Sequence, residues 1–119
     1  MNYVATYLQK SSKFLNLPNV CKVTKSRNND FYITRLNSHL CFREPKLFSF
    51  SRRQDGLLLH FVEGEVELEA FENNINDLKS SVCDELCFLW AWYAEEKDDN
   101  LTDNAKKIKN WLRRNLISD

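Results

Sequence analysis

After Phe71 the hydrophobic period of this chain changes from two to 3.6, and that change limits the folds open to it. From Val20 to Phe71 apolar and polar residues alternate in short runs, the two-residue repeat of half-buried β-strands. From Ile75 to Leu116 the apolar residues recur at three and four, the repeat of amphipathic helices. Ahead of the strands, Tyr3, Val4, Tyr7, Leu8, Ser11, Phe14 and Leu15 share helical spacing up to Pro18, which predicts an N-terminal helix. The expected fold is α+β: an N-terminal helix, an antiparallel sheet of about four to six strands, then two C-terminal helices packed on the sheet. At 119 residues the chain reads as one domain, 1–119.

The strand candidates are 20–24, 31–36, 39–43 and 46–51, with Asp55-Gly56 as a hairpin signal after the last. Residues 57–71 read either as one long bent strand or as two strands joined at Glu63-Gly64. Asn73 or Asn74 caps the next helix, whose stripe is Ile75, Leu78, Val82, Leu86, Leu89 and Tyr93. Cys83, Cys87, Trp90 and Ala94 form a second stripe, and Phe88 and Trp92 make CFLWAWYA apolar almost all round. Such a segment is buried on more than one side or meets a partner, so 87–94 is also a candidate for homo-oligomer contact. Thr102 caps the last helix, Ala105, Ile108, Leu112 and Leu116 line its inner face, and Arg113 and Arg114 complement its dipole.

Net charge is zero, yet residues 1–60 carry ten Lys and Arg against three acids, and residues 61–119 carry seven against fourteen. Two glycines in the whole chain exclude Gly-rich phosphate loops. The opening residues lack a basic leader and no apolar run is long enough to span a membrane, so the sequence reads as cytoplasmic, without membrane contact. Its four cysteines then read as reduced. Cys83 and Cys87, four apart on a helix, are poorly placed for a disulfide, and CxxxC is not a usual zinc spacing. No metal and no cofactor site is expected.

The densest acidic pattern is VEGEVELEAF. At strand period, Glu65, Glu67 and Glu69 project from one face while Val66 and Leu68 point to the core. Their mutual repulsion is offset either internally, by Arg43, Lys46, Arg52 or Arg53 on an adjacent strand, or by an external cationic partner. Asp84, Glu85, Glu95, Glu96, Asp98 and Asp99 extend the acidic surface, and Trp92 is the candidate apolar anchor among them. Carboxylates around an aromatic anchor suit the contact face of an inhibitor of a basic protein, with steering at long range and burial at the centre.

Two other readings have residues behind them. The basic first half interleaves Lys22, Arg35, Arg43, Lys46, Arg52 and Arg53 with Phe31, Tyr32, Phe42, Phe48 and Phe50, a pattern open to nucleic-acid stacking. His60, Glu65 and Arg52 are the one set from which a metal-independent ribonuclease could be assembled, but no catalytic motif supports an enzyme.

The C-terminal half, with its capped helix ending in LWAWYA, acidic loop and LTDNA opening to a short helix, resembles small bacterial proteins without assigned function. As a type, the whole chain resembles the cytosolic immunity proteins of toxin–immunity systems such as contact-dependent growth inhibition. That resemblance implies a non-enzymatic immunity protein or antitoxin that neutralises a cognate toxin, a basic nuclease domain, through Glu65, Glu67, Glu69, Asp84, Glu85, Trp92, Glu95, Glu96, Asp98 and Asp99. The alternative is a nucleic-acid-binding regulator using the basic strands.

Overall fold

Alternation in the sequence becomes alternation in burial. The computed structural model describes residues 29–119. Strand β1 (Asp30–Arg35) buries Phe31 and Ile33, and β2 (Leu40–Arg52) buries Leu40, Phe42, Phe48 and Phe50. Strand β3 (Leu57–Glu63) buries Leu57 and Leu59, and β4 (Val66–Glu72) buries Val66, Leu68 and Ala70. The strands run antiparallel in the order β1-β2-β3-β4. Helix α1 (Ile75–Leu89) and helix α2 (Asp103–Asn115) contribute Leu78, Val82, Leu86, Trp111 and Leu112 to the same core. The architecture is thus an antiparallel sheet followed by two helices, an α+β arrangement.

The expected N-terminal helix is corrected. Among the described residues the fold opens on β1 and its helices all follow the sheet; residues 3–15 lie outside the described residues. The strand candidate at 20–24 lies outside them as well.

Residues 57–71 form a hairpin. Glu63 pairs with Val66 across Gly64-Glu65, and Gly64 has φ 61°, a left-handed conformation that glycine adopts without steric cost. Gly56 serves differently: a Cβ there would lie 2.7 Å from the Glu72 carbonyl oxygen, so the chain closes only around a bare Cα.

The two candidate strands at 39–43 and 46–51 are one strand, β2, running straight through Pro45. Proline lacks the donor a ladder needs and is tolerated where pairing is interrupted. Both edges of β2 are interrupted there. Toward β1 the register slips between Ile33, opposite Lys46, and Arg35, opposite Cys41. On the other edge, β3 pairs only with Phe50–Arg52, and a short strand β5 (Leu116–Ser118) pairs with Leu40–Phe42. The seam between β3 and β5 is filled by Phe61 and Trp111, whose ring centroids are 6.2 Å apart, with the Lys46 ammonium 5.6 Å and 5.9 Å from the two rings. Leu116, expected on the last helix, belongs to β5.

Helix α1 and the turn that continues it bury Leu78, Val82, Leu86, Trp90 and Ala94, a constant spacing of four. Each such step overshoots an α-helical turn by about 40°, so by Trp90 the stripe has wound about 120° off the sheet. A π-helical turn, Trp90–Ala94, reverses the drift, with the Glu95 N–H on the Trp90 carbonyl at 3.3 Å. The wider turn returns Ala94 to the core. Among the described residues no helix is long and apolar enough to cross a membrane.

Candidate protein-binding face

Asn74 opens α1 by accepting the Asp77 N–H at 2.9 Å, and from there the helix presents one exposed line: Ser80, Asp84, Phe88, Trp92. These positions are four apart and lie opposite the buried stripe. Phe88 is 61% exposed and Trp92 66%, with ring centroids 5.9 Å apart. Within 87–94, by contrast, Trp90 and Ala94 are buried and Leu89 and Tyr93 pack against the core, so the apolar surface open to contact narrows to Phe88 and Trp92 with the small Ala91.

The π turn that sets this line is held from α2. The Arg113 guanidinium donates to the Ala94 carbonyl from Nε at 3.0 Å and from Nη2 at 2.5 Å, and it lies 5.1 Å from the Trp90 ring centroid. The Arg113 carbonyl in turn accepts from Arg43 Nε at 3.2 Å, which ties in β2. Arg113, expected to complement the dipole of its own helix, also caps the end of the preceding one.

The acids fall into three groups. Glu69 and Glu85 come together where α1 crosses β4: burial pushes the Glu85 carboxyl up and the Glu69 charge adds to it, while the Glu69 main-chain N–H pulls it down. Asp84 lies apart from them, on the aromatic line and toward β1, where it lines a groove with Arg35 and Lys79. Glu67 is engaged by His60, Nε2 to Oε2 at 2.6 Å, on the outer face of the sheet. Glu65 sits in the β3–β4 turn and off the strand row, so the expected row of three is a row of two. The set His60, Glu65 and Arg52 is likewise not assembled, since His60 meets Glu67 instead.

Residues 95–101 form the third group. Lys109 Nζ reaches the Glu96 carbonyl at 2.7 Å and Asp98 at 2.9 Å, and this hydrogen bond and charge lower the Asp98 carboxyl below the ordinary carboxylate range. Glu95 and Asp99 are exposed with no ion pair among the described residues.

Internal neutralisation of the glutamate row by basic strands fails because of strand order. Strand β3 separates β4 from β2, and Lys46 pairs with Glu63 at 2.6 Å. Arg35 pairs with the terminal Asp119 at 3.2 Å. The aromatic residues of the basic strands point inward: Phe31, Phe42, Phe48 and Phe50 are core, and Tyr32 alone of that set is exposed. A surface feature missed in the sequence is the outer sheet face, where Tyr32, Leu47, Val62 and Phe71 are exposed. Their positions, out of phase with the buried ones, were the available signal.

Cys83 and Cys87 are half-buried free thiols, and no three His, Cys, Asp or Glu side chains among the described residues converge as a metal site requires. Burial raises both thiols, Cys83 further through Cys87 and Asp84, and Cys87 through Asp84. The folded state therefore holds these protons more tightly than the unfolded chain. That contribution to stability is complete below the ordinary thiol range and is lost as pH rises through the raised folded values. At pH 8, iodoacetamide should modify Cys83 and Cys87 at least about tenfold more slowly in the native protein than in urea, read by peptide mass mapping. Equal rates would contradict the protonated state.

No protein family, curated protein or solved structure matches this chain.

Proposed function

We propose that this protein is a non-enzymatic immunity protein or antitoxin, acting in the cytoplasm, that binds and neutralises a basic toxin domain, a nuclease. The observation that carries the reading is the exposed Phe88–Trp92 pair, on one helix line with Asp84 and followed by the exposed Glu95. Two large rings left in water beside unpaired carboxylates match an interface in which charge steers encounter and aromatics carry the affinity. Glu96 and Asp98, in the segment that Lys109 holds after the helix, become the rim of that face, and Glu67 lies away from it on the outer face of the sheet.

Co-expression with the reading frame immediately upstream tests the function directly. The neighbour should kill, and this protein should restore colony counts; a harmless neighbour removes the basis of the reading. With the toxin in hand, the double reversal Glu69→Lys and Asp84→Lys should slow association about tenfold at low salt while leaving the melting temperature unchanged. Association should be unaffected by Arg52→Glu with Arg53→Glu. The opposite pattern would place the interface on the basic strands.

A further inference from the structure

The cleft beside Phe88 has features that select among cations. It is open, about 450 Å³ in volume, and lined by Asp84, Cys87 and Phe88, with Trp92 one turn further along the same face. Asp84 has no ion-pair partner among the described residues, although two cations border the same side of α1. Lys79 lies over the Phe31 ring, 5.5 Å from its centroid, and Arg35 is occupied by Asp119. A carboxylate and an aromatic face therefore stand one helical turn apart, about 6 Å along the axis, both turned to solvent.

Resting on the partner-binding reading above, we propose that this cleft receives an arginine side chain of the basic partner. Its guanidinium lies flat on Phe88 and forks onto the Asp84 carboxylate, with the Trp92 ring, inclined 56° to Phe88, bordering it on the far side. Arginine meets both demands at once, because its planar group stacks through its faces and donates in-plane through its edge. A lysine ammonium is a compact, strongly hydrated point charge: it can sit over a ring or against the carboxylate, and at so open a site it loses hydration for either. The floor of the cleft does not compete, since the Cys87 sulfur already accepts from Asn37 Nδ2 at 3.3 Å.

The test uses the full chain, isotopically labelled, with the Trp92 indole signal assigned by its loss in Trp92→Phe. The probes are acetyl-Gly-Arg-Gly-amide and its lysine counterpart. The arginine peptide should shift the Trp92 indole and Phe88 ring signals saturably, and the lysine peptide should bind at least about threefold more weakly. Asp84→Asn should reduce arginine-peptide affinity by about threefold, with the fold intact. Equal binding of the two peptides, or insensitivity to Asp84→Asn, overturns the arginine assignment and leaves toxin rescue free to succeed. An arginine-selective response without rescue overturns the immunity reading and keeps the site. Sedimentation as a dimer that Trp92→Ala returns to monomer would make the pair a self-contact and also overturn the proposal.

Discussion

Arg113→Ala should lower the unfolding free energy by about 2 kcal/mol, seen as a fall of about 10 °C in melting temperature. The guanidinium makes two charge-assisted hydrogen bonds to the carbonyl of Ala94, a buried residue at the end of the π turn, and stacks on Trp90. Hydrogen bonds to a charged group contribute roughly 1.5–3 kcal/mol and the cation–π contact roughly 0.5–1 kcal/mol. The exposed setting of Arg113 brings the sum back to about 2 kcal/mol. Truncation takes both donors from the Ala94 carbonyl and frees the turn to relax. Arg113→Lys should recover part of the loss through charge at the helix end, without the fork. Arg114→Ala, one residue on and exposed, should change stability by under about 0.5 kcal/mol. If Arg113→Ala and Arg114→Ala melt alike, the bridge between the two helices has no energetic weight.

The features of this fold that are legible in the sequence are those decided within a few residues. Asn74 and Thr102 cap their helices by accepting the N–H of Asp77 and Ala105, as short polar side chains before an apolar period do. The in–out rhythm of Phe48, Phe50, Leu57, Leu59, Val66 and Leu68 needs only the pleat. What escapes sequence reasoning is decided by distant partners. Pro45 reads as a strand break, and only the slipped register of β1 and the gap between β3 and β5 let β2 pass through it. The π turn is foreshadowed by the spacing of four from Leu78 to Ala94, but Arg113, nineteen residues further on, completes it. In the candidate face, Phe88 and Trp92 are equally good core residues on composition, and Glu67 and Glu69 equally good partners for Arg52. Strand order and the phase of α1 decide both questions.

On the proposed function, Trp92→Ala should weaken binding to the toxin by at least about 30-fold, roughly 2 kcal/mol, and abolish colony rescue when the toxin is expressed in excess. Folding should not suffer, because Trp92 is 66% exposed and its removal opens no cavity in the core. The expected kinetic signature separates this residue from the acids around it. An aromatic anchor is buried only in the docked complex, so its loss should appear in the dissociation rate and persist at high salt. Reversal of Glu69 and Asp84 should appear in the association rate and fade as salt screens the exposed charges. Phe88→Ala should behave as Trp92→Ala does, and the double variant should lose less than the sum, since the ring centroids lie only 5.9 Å apart. Trp90 supplies the internal control: buried under Arg113, its truncation should unfold the protein while leaving no selective effect on dissociation. Unchanged dissociation in a folded Trp92→Ala protein would show that the toxin docks elsewhere, and the outer sheet face with Tyr32, Val62 and Phe71 would then be the next surface to substitute.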